Sequence, residues 1–338
     1  MRVLDYYTIG DVEGLILIMV LSNGGCTANN DTALELNEHG KPENRAEESN
    51  VYQAKYSVFP VIEVIYNDIH TSFFRTDNSF CGKNVIHIDH CRNGRLECKV
   101  KNKYFFLSAG DVLIHNFGED YREDVFPTGK FQGVTIQINI DNAPECLSEL
   151  LEDVYVKPVD IAEKFRIKQN RYYVLRQMPA IEHIFSEMYS VPPSVLKAYL
   201  KIKVLELFVF LNSIQPERSV SEQRCVSEKQ VSLAKLIFDY LTDDTSKNIT
   251  VTELSEHFGT SAYQLNKCFQ SVYGMSISSY SRNMKIREAA RLLQHTDQTI
   301  LGIAGQVGYE NGSKFANVFH RIMGVTPRQY RNNAVNRN

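Results

Sequence analysis

The chain of 338 residues lacks the features that would mark a membrane or exported protein. It has no tryptophan, and its formal net charge is only −3. The apolar stretch Leu15–Leu21 is far shorter than the roughly 20 residues that a membrane-spanning helix needs, and the charged residues before it, Asp11 and Glu13, are acidic. We therefore expect a cytoplasmic chain that does not bind membranes.

Patterns for catalysis or metal binding are missing as well. The sequence has no phosphate-binding loop, nucleophile elbow or carboxylate pair above background, and its 7 cysteines lack CxxC spacing. The nearest candidate cluster is His87 and His90-Cys91, with Cys81 and Cys98 nearby, but residues three apart on a strand point to opposite faces. We expect no enzyme, no cofactor and no bound metal, with the cysteines as reduced thiols; a metal or redox role for residues 81–98 stays open.

The last hundred residues contain one short pattern twice. Each copy is an apolar-periodic helix, a turn marked by glycine, and a second helix with a polar outer face. Equivalent positions lie about 50 residues apart. The first copy is Val251–Gly259 followed by Ala262–Gln270 and Gly274, and the second is Ile300–Gly308 followed by Gly312–His320 and Gly324. This is a helix-turn-helix pattern, whose second helix is shaped for the DNA major groove.

Each copy predicts its own small core and its own helix ends. The side chains expected to face each other are Leu254 and Phe258 with Leu265 and Phe269, then Ile300, Ala304 and Val307 with Phe315, Phe319 and Ile322. Ser261 and Asn311 are expected to cap the second helices, and Gly274 and Gly324 to end them. Gly308 is expected to form the turn of the second copy, and Pro327 to open a last short helix.

One helix is predicted between the two copies, from about residue 276 to 295. Some 19 residues at ~1.5 Å each span about 28 Å, close to the ~34 Å of one DNA turn. A stiff helix of this length places two recognition helices in successive major grooves on one side of the duplex. We therefore expect one long, asymmetric DNA site for each chain.

Charge is distributed unevenly along the chain. Residues 226–338 carry 13 Lys and Arg against 9 Asp and Glu, whereas the other residues carry 24 against 31. A positive half fits a DNA partner, because phosphate contacts supply affinity and salt dependence. The phosphate-contact candidates are Arg282, Arg287, Arg291, Arg321, Arg328 and Arg331, each of which could equally lie on a solvated helix face.

Residues from about 228 to 331 resemble the DNA-binding domain of the AraC/XylS family. The resemblance rests on Ile303-Ala304-Gly-Gln-Val307-Gly308-Tyr309, on Phe315 and Phe319, and on Gly324-Val-Thr-Pro327 with Tyr330-Arg331. It implies that the DNA bases are contacted by Ala262, Tyr263, Asn266, Lys267 and Gln270 in the first copy, and by Gly312, Ser313, Lys314, Ala316 and Asn317 in the second. Because the family usually has Arg at positions 267 and 317, its base preference does not carry over.

Short strands are predicted before this domain. They cover residues 57–66, 84–90, 95–100, 103–107, 112–115 and 132–140, and Asn93-Gly94 is a hairpin signal. This spacing predicts a small antiparallel barrel or sandwich. The segment Cys91–Cys98 with Leu107–Val112 resembles the hairpin of the cupin-like sensor domains of the same family. The resemblance implies an effector pocket, for which His87, Arg92, His115 and Tyr121 are candidates, and similarity to siderophore-responsive regulators implies an iron chelate as effector.

Helical periodicity follows the strands, in segments 143–152, 161–165, 178–189 and 193–214. The last is the longest, and its apolar stripe contains Leu196, Leu200, Val204, Leu207 and Leu211. In the family the equivalent helix pairs two chains, which implies a homodimer; packing on the barrel is the alternative. The polar residues 216–228 have the composition of a linker.

The sequence thus predicts an α+β protein. Its predicted parts are an arm and loop (1–55), a cupin-like small antiparallel β-barrel with helices (56–215), a linker (216–228) and an all-α DNA-binding domain with two helix-turn-helix motifs joined by a linker helix (229–338). The expected function is that of an effector-controlled transcription regulator, more an activator than a repressor by family analogy, with promoter DNA and RNA polymerase as partners. Two alternatives stay open: a constitutive DNA-binding regulator whose N-terminal half serves only dimerisation or protein binding, and a cupin enzyme fused to a DNA module.

Overall fold

The computed structural model describes residues 51–74, 84–100, 103–116, 124–144, 147, 157–165, 172–216, 225–243 and 249–335. The chain divides into two compact units: one extends to Cys225 except for Lys99–Tyr104, and those residues group with the second unit, which continues from Val226. The predictions about residues 1–50, Cys81 and Tyr121, and most of the predicted helix 143–152, lie outside the described residues. The predicted domain limits stay predictions.

Within its described residues, the first unit contains two antiparallel sheets and three helices. The larger sheet has the order β1-β2-β9-β4-β7-β10. The smaller contains β6-β5-β8-β3, except that the end of β5 and the start of β6 lie in the segment Lys99–Tyr104, which groups with the second unit. The strands are β1 (Val51–Phe59), β2 (Ile62–Ile69), β3 (Phe73–Phe74), β4 (Val85–Gly94), β5 (Leu96–Val100), β6 (Lys103–Leu107), β7 (Asp111–His115), β8 (Asp124–Val125), β9 (Phe131–Asn139) and β10 (Tyr172–Arg176). The helices are α1 (Pro158–Lys164), α2 (Pro179–Met188) and α3 (Leu196–Ser213).

The core of this unit lies on one face of the larger sheet. Alternate residues of its central strands are mostly aliphatic and buried, as in Ile86 and Ile88 of β4 or Val134, Ile136 and Ile138 of β9. Since side chains alternate along a strand, these residues share one face. They pack against apolar side chains of all three helices, including Ile161, Phe185 and Leu207. The alternate positions of these strands lie on the other face of the sheet, where several side chains are polar.

Two details of the predicted strands are wrong. The segment 57–66 is not one strand, because the chain turns at Pro60-Val61 and β1 and β2 pair antiparallel. Asn93-Gly94 is not a hairpin turn: both residues end β4 and pair with β9, after which the chain enters β5 of the other sheet. Gly94 has φ +88°, and a Cβ there would lie 2.0 Å from the carbonyl oxygen of Lys130. Glycine is therefore needed here because of its backbone angle and the close approach of the neighbouring strand, not because of a hairpin turn.

The antiparallel β region with helices is confirmed, while barrel closure and the cupin likeness stay predictions. β10 was not predicted, although Tyr172-Tyr-Val-Leu-Arg176 is a β-prone run that pairs with β7. The predicted helices near 161–165, 178–189 and 193–214 correspond to α1, α2 and α3. No helix in the described ranges is both long and apolar enough to cross a membrane.

The second unit is helical. Its elements are β11 (Val226–Ser227), which pairs with Tyr104 and Lys103 of the same unit, then α4 (Glu228–Asp243), α5 (Val251–Phe258), α6 (Ala262–Tyr273), α7 (Ile277–His295), α8 (Ile300–Gln306), α9 (Gly312–Met323) and α10 (Pro327–Val335). The two helix-turn-helix motifs are α5–α6 and α8–α9. Both motifs and the helix between them are where the sequence predicts them, and Pro327 opens α10 as expected.

Candidate nucleic-acid interface

The first motif is held by local signals at each helix end. The Thr250 side chain accepts from the Glu253 amide, and the Glu253 carboxylate accepts from the Thr250 amide, a complete capping box. Gly259 ends α5 in the left-handed conformation. Ser261 then caps α6 by accepting from the Gln264 amide, as predicted. The sequence Thr-x-x-Glu was the signal for the capping box that our sequence prediction omitted.

The second motif repeats this construction. Thr299 caps α8 by accepting from the Gly302 amide, and the predicted cap Asn311 accepts from the Lys314 amide at 3.0 Å. Gly308 forms the turn with φ +82°, and Gly324 ends α9 with φ +75°. These positive φ angles explain the two glycines, since other residues rarely adopt them.

Each motif buries most of the side chains that the sequence assigned to its core, whereas Phe258, Ile300 and Ile322 are only half-buried. Leu254, Leu265 and Phe269 are fully buried in the first copy. In the second, Ala304 and Val307 of α8 share a core with Phe315 and Phe319 of α9. The same core includes the last turns of α7, so the linker helix and the second motif are one packed body. The polar sides of α6 and α9 are consequently turned outward.

The predicted base-contacting residues occupy these outward faces. Tyr263 is 73 % exposed, the largest exposed fraction among the large apolar side chains of the described residues. The other exposed members are Ala262, Lys267, Gln270, Ser313, Lys314 and Asn317, whereas Gly312, Ala316 and Asn266 are half-buried. The first recognition face therefore offers larger side chains than the second, which matches its sequence. Their contacts with DNA bases stay a prediction.

Asn266 differs from the other residues of this set because its side chain is engaged within the chain. Its amide oxygen accepts from the Ile277 amide, and its amide nitrogen donates to the Ala262 carbonyl, both at 3.1 Å. The sequence motif gave no sign of these bonds, because they depend on how α6 meets α7.

The candidate phosphate contacts are not equally available. Arg282, Arg287, Arg321 and Arg328 are exposed. Arg291 is exposed too, but it forms a two-bond ion pair with Glu288 on the same helix. Arg331 donates to the carbonyl of Gln298 at 2.6 Å, which fastens α10 to the loop before α8. Arg331 thus has a structural contact that the sequence did not reveal.

Two of the four candidate effector residues lie together on the polar face of the larger sheet. The rings of His87 and His115 are 4.9 Å apart. His115 donates to Asp89 at 2.7 Å, Thr135 donates to the other Asp89 oxygen at 2.7 Å, and Asn67 donates to Thr135 at 3.0 Å. We call His87, Asp89, His115, Thr135, Asn67 and Gln137 the polar face.

Electrostatics and burial make this face unusual. Burial and the neighbouring His115 lower the pKa of His87 to about 4, so that His87 is neutral near pH 7. Burial acts to raise the pKa of Asp89, but the interactions with His115, His87 and Thr135 together outweigh it and the pKa is lowered. Gln137 is only 1 % exposed, and neither its side-chain oxygen nor its nitrogen has a hydrogen-bond partner. A buried amide of this kind calls for water or a ligand.

Arg92 does not belong to this polar face. Its guanidinium lies over the Tyr189 ring at 4.2 Å, beside the end of α2. The same side holds His90, which stacks on Phe185 at 4.3 Å and donates to Glu182 at 2.8 Å. His87 and His90 therefore point to opposite faces, as predicted, and the grouping of Arg92 with His87 is wrong.

The described residues contain no group of three or more His, Cys, Asp or Glu placed to hold a metal ion. Cys91 and Cys98 are both buried and reduced. Burial raises the pKa of the Cys91 thiol to about 12, which makes it unreactive near neutral pH.

The stripe predicted for dimerisation faces inward. Leu200, Val204, Leu207 and Leu211 are 0 % exposed and pack in the core of their own chain, with half-buried Leu196 beside them. These residues cannot contact a second chain while they fill this core. The prediction that they form a dimer contact is therefore wrong, and the alternative, that they pack on the sheet of their own chain, is correct. The opposite side of α3 carries Ile202, Val209 and Phe210, which are 60 %, 43 % and 38 % exposed.

Comparison with known proteins places one family match within the second unit. Residues 254–333 match the sequence profile of a family described as a helix-turn-helix domain. The chain is 32 % identical over 119 residues to the HTH-type transcriptional activator RhaR of Klebsiella pneumoniae, covering 35 % of this chain and 42 % of that protein. It is 25 % identical over 235 residues to an uncharacterized HTH-type transcriptional regulator of Staphylococcus aureus, covering 68 % of this chain and 29 % of that one.

Among solved structures, the C-terminal domain of the two-component response regulator yesN from Fusobacterium nucleatum is 29 % identical. The match covers 30 % of this chain and 98 % of that domain, with a TM-score of 0.28. The chain thus spans less than half of the length of these two sequence relatives. Their names describe a transcriptional activator and a transcriptional regulator.

Proposed function

We propose that this chain, whose C-terminal region is a helix-turn-helix domain of the AraC family, is a transcription regulator that binds one long promoter site with both of its motifs. The observation that carries the proposal is the repeated geometry: two capped helix pairs turn the polar sides of α6 and α9 outward at the two ends of α7. Bidentate or point-charge contacts from such helices distinguish bases in the major groove.

The two recognition helices have different tasks in this proposal. Tyr263, Lys267 and Gln270 of α6 are long enough to contact base edges. Gly312, Ser313 and Ala316 of α9 are small, so the second half of the site is recognised more through backbone and DNA shape. Exposed arginines supply affinity that does not depend on sequence.

Hydroxyl-radical footprinting of the full chain on a selected DNA fragment tests this arrangement. Protection on one side of the duplex in two segments about one helical turn apart is expected. Lys267→Ala should weaken protection of one segment first, and Lys314→Ala that of the other. Protection of a single short segment in the wild type would contradict the use of both motifs.

We further propose that a small effector binds at the polar face and controls DNA binding. The support is the buried Gln137 amide without partners, next to a neutral His87 and the ordered Asp89–His115 pair. Such groups together supply donors and acceptors for an uncharged or weakly charged ligand. A ligand controls DNA binding only through a difference in its affinity for two arrangements of the protein.

Gln137→Leu tests the effector proposal. Removing an unpaired buried amide should raise thermal stability or leave it unchanged, while abolishing any change in DNA affinity caused by an extract of cell metabolites. Arg92→Ala is the matched control, because Arg92 lies on the other side of the sheet and should leave the response intact. An extract effect that survives Gln137→Leu would refute the polar face as the site. No extract effect in the wild type would favour the constitutive regulator.

Homodimerisation through the outer side of α3 is the remaining part of the proposal. Five large apolar residues are exposed in the described part of the first unit, and four of them (Val195, Ile202, Val209 and Phe210) lie on or next to α3. Ile202 and Val209 are two helical turns apart and so share a face. The double variant Ile202→Glu with Val209→Glu should sediment as a monomer at concentrations where the wild type dimerises; Lys197→Glu, exposed on the same helix, is the control. An unchanged sedimentation coefficient would exclude this face.

A further inference from the structure

We infer that Asn266 positions the first recognition helix on the linker helix, and so sets the spacing of the two DNA contacts, instead of contacting a base. The inference rests on the proposed function for its consequence on DNA, but its structural part stands by itself.

Both polar atoms of the Asn266 side chain are committed to the backbone. Its oxygen accepts from Ile277, the first residue of α7, and its nitrogen donates to Ala262 in the first turn of α6. Both bonds require the same orientation of the side-chain amide, because the oxygen can only accept from an N–H and the nitrogen can only donate to a carbonyl. An Asn that reads adenine needs the same two atoms for the base.

The bond to Ile277 has a definite role at the start of α7. The first four amides of a helix have no partner within the helix. Ser276 satisfies the amide of Ser279, and Asn266 satisfies that of Ile277. The cap of α7 is therefore partly supplied by the recognition helix, which ties the two helices at one point.

The second motif provides an internal comparison for this pair. Fifty residues on, Asn266 corresponds to Ala316 and Ile277 to Pro327, just as the caps Ser276 and Thr326 correspond. Proline has no amide hydrogen to satisfy, and alanine has no group to satisfy it. The side-chain acceptor is thus present only in the first copy, where the next helix, α7, begins with a residue that has an N–H. The first copy is also the only one followed by a helix that leads to a second DNA contact.

Aromatic contacts also join α6 and α7. Phe269 and Tyr273 meet Tyr280 at ring separations of 5.4 and 5.9 Å. Ring contacts of this kind tolerate a range of angles, whereas a hydrogen bond to a backbone amide is directional. Removing the Asn266 bond is expected to leave the helices packed but less fixed in angle.

A small change of angle matters because α7 is long. Its 19 residues form a lever of about 28 Å. A tilt of roughly 7° at one end moves the other by ~3.4 Å, the rise of one base pair. A loosened start of α7 should therefore allow DNA sites whose two halves are one base pair closer or farther apart.

The test uses the full chain and a DNA site obtained by selection from random duplexes. Derivatives of that site carry one base pair more or fewer between the two contacted segments, and affinities are measured by fluorescence anisotropy. We expect N266A to lose about fivefold of the wild-type preference for the selected spacing. N266D should keep that preference, because its carboxylate still accepts from Ile277, although a negative charge near phosphates weakens binding at every spacing.

Gln264→Ala, an exposed residue in the same helix turn, is the control and should keep the wild-type spacing preference. If N266A keeps the wild-type spacing preference, the inference is overturned. If N266A loses selectivity for one base pair at unchanged spacing, Asn266 contacts a base and the inference is overturned as well.

Hydrogen exchange separates failure of this inference from failure of the proposed function. The Ile277 amide should exchange on the order of fivefold faster in N266A than in the wild type, but not in N266D. If the wild type selects no DNA site, the proposed sequence-specific DNA binding is wrong. The exchange rates still decide whether the Asn266 side chain bonds to the Ile277 amide and positions the start of α7. Equal exchange in all three proteins would refute the positioning role.

Discussion

His87 on the polar face makes a quantitative prediction about acid sensitivity. Its pKa is lowered from 6.5 to about 4, chiefly by burial. A histidine whose pKa is depressed by folding stabilises the protein above its unfolded pKa, and that contribution is lost as the pH falls toward the folded pKa. The loss attributable to His87 is at most about 2 kcal/mol by about pH 5 and at most about 3 kcal/mol by about pH 4.

The perturbation is His87→Asn, which removes the titrating ring and keeps a polar side chain. Urea unfolding of the wild type and the variant is followed by circular dichroism between about pH 7 and 4. The difference reports the His87 contribution together with its coupling to His115 and Asp89, because all other titrating groups are common to both. The wild type should lose stability faster than the variant on acidification. An NMR titration gives the pKa directly, and a His87 value near 6.5 or parallel stability profiles would refute the reasoning.

Three further predictions concern the second unit. Lys267→Ala should weaken binding to the selected site by ~1–3 kcal/mol but binding to random DNA much less, measured by competition; equal losses would remove Lys267 from base recognition. Arg321→Gln should lower the slope of log affinity against log salt by about 0.9 for every sequence, and an unchanged slope would place Arg321 away from phosphates. Thr250→Ala breaks the capping box of α5 and should cost ~1 kcal/mol in urea unfolding, whereas Thr252→Ala, exposed in the same turn, should cost less; equal costs would deny Thr250 its capping role.

The second unit could be predicted from the sequence because its signals are local and occur twice. Ser261, Gly274, Asn311 and Gly324 mark helix ends through bonds or backbone angles within a few residues. The i, i+4 pairs then select the buried sides, so the outward faces follow by elimination. The bonds of Asn266 and Arg331 could not be predicted, since they join residues 11 and 33 positions apart.

The first unit was harder because its contacts are long-range. Alternation located most strands, but Asn93-Gly94 resembled a hairpin turn when in fact the chain changes sheets there. The apolar stripe of α3 was correctly located, yet periodicity alone does not say whether such a stripe meets the same chain or another. The polar face joins residues from four strands, and of these only His87 and His115 were among the candidates named from the sequence.

The central claim, that two helix-turn-helix motifs read one long DNA site, is tested most directly by genomic-fragment binding. The purified chain is incubated with sheared genomic DNA, with and without a cell metabolite extract, and the bound fragments are sequenced. We expect enrichment of one asymmetric motif near promoters, with two conserved segments about one helical turn apart. Uniform recovery of fragments under both conditions would contradict it.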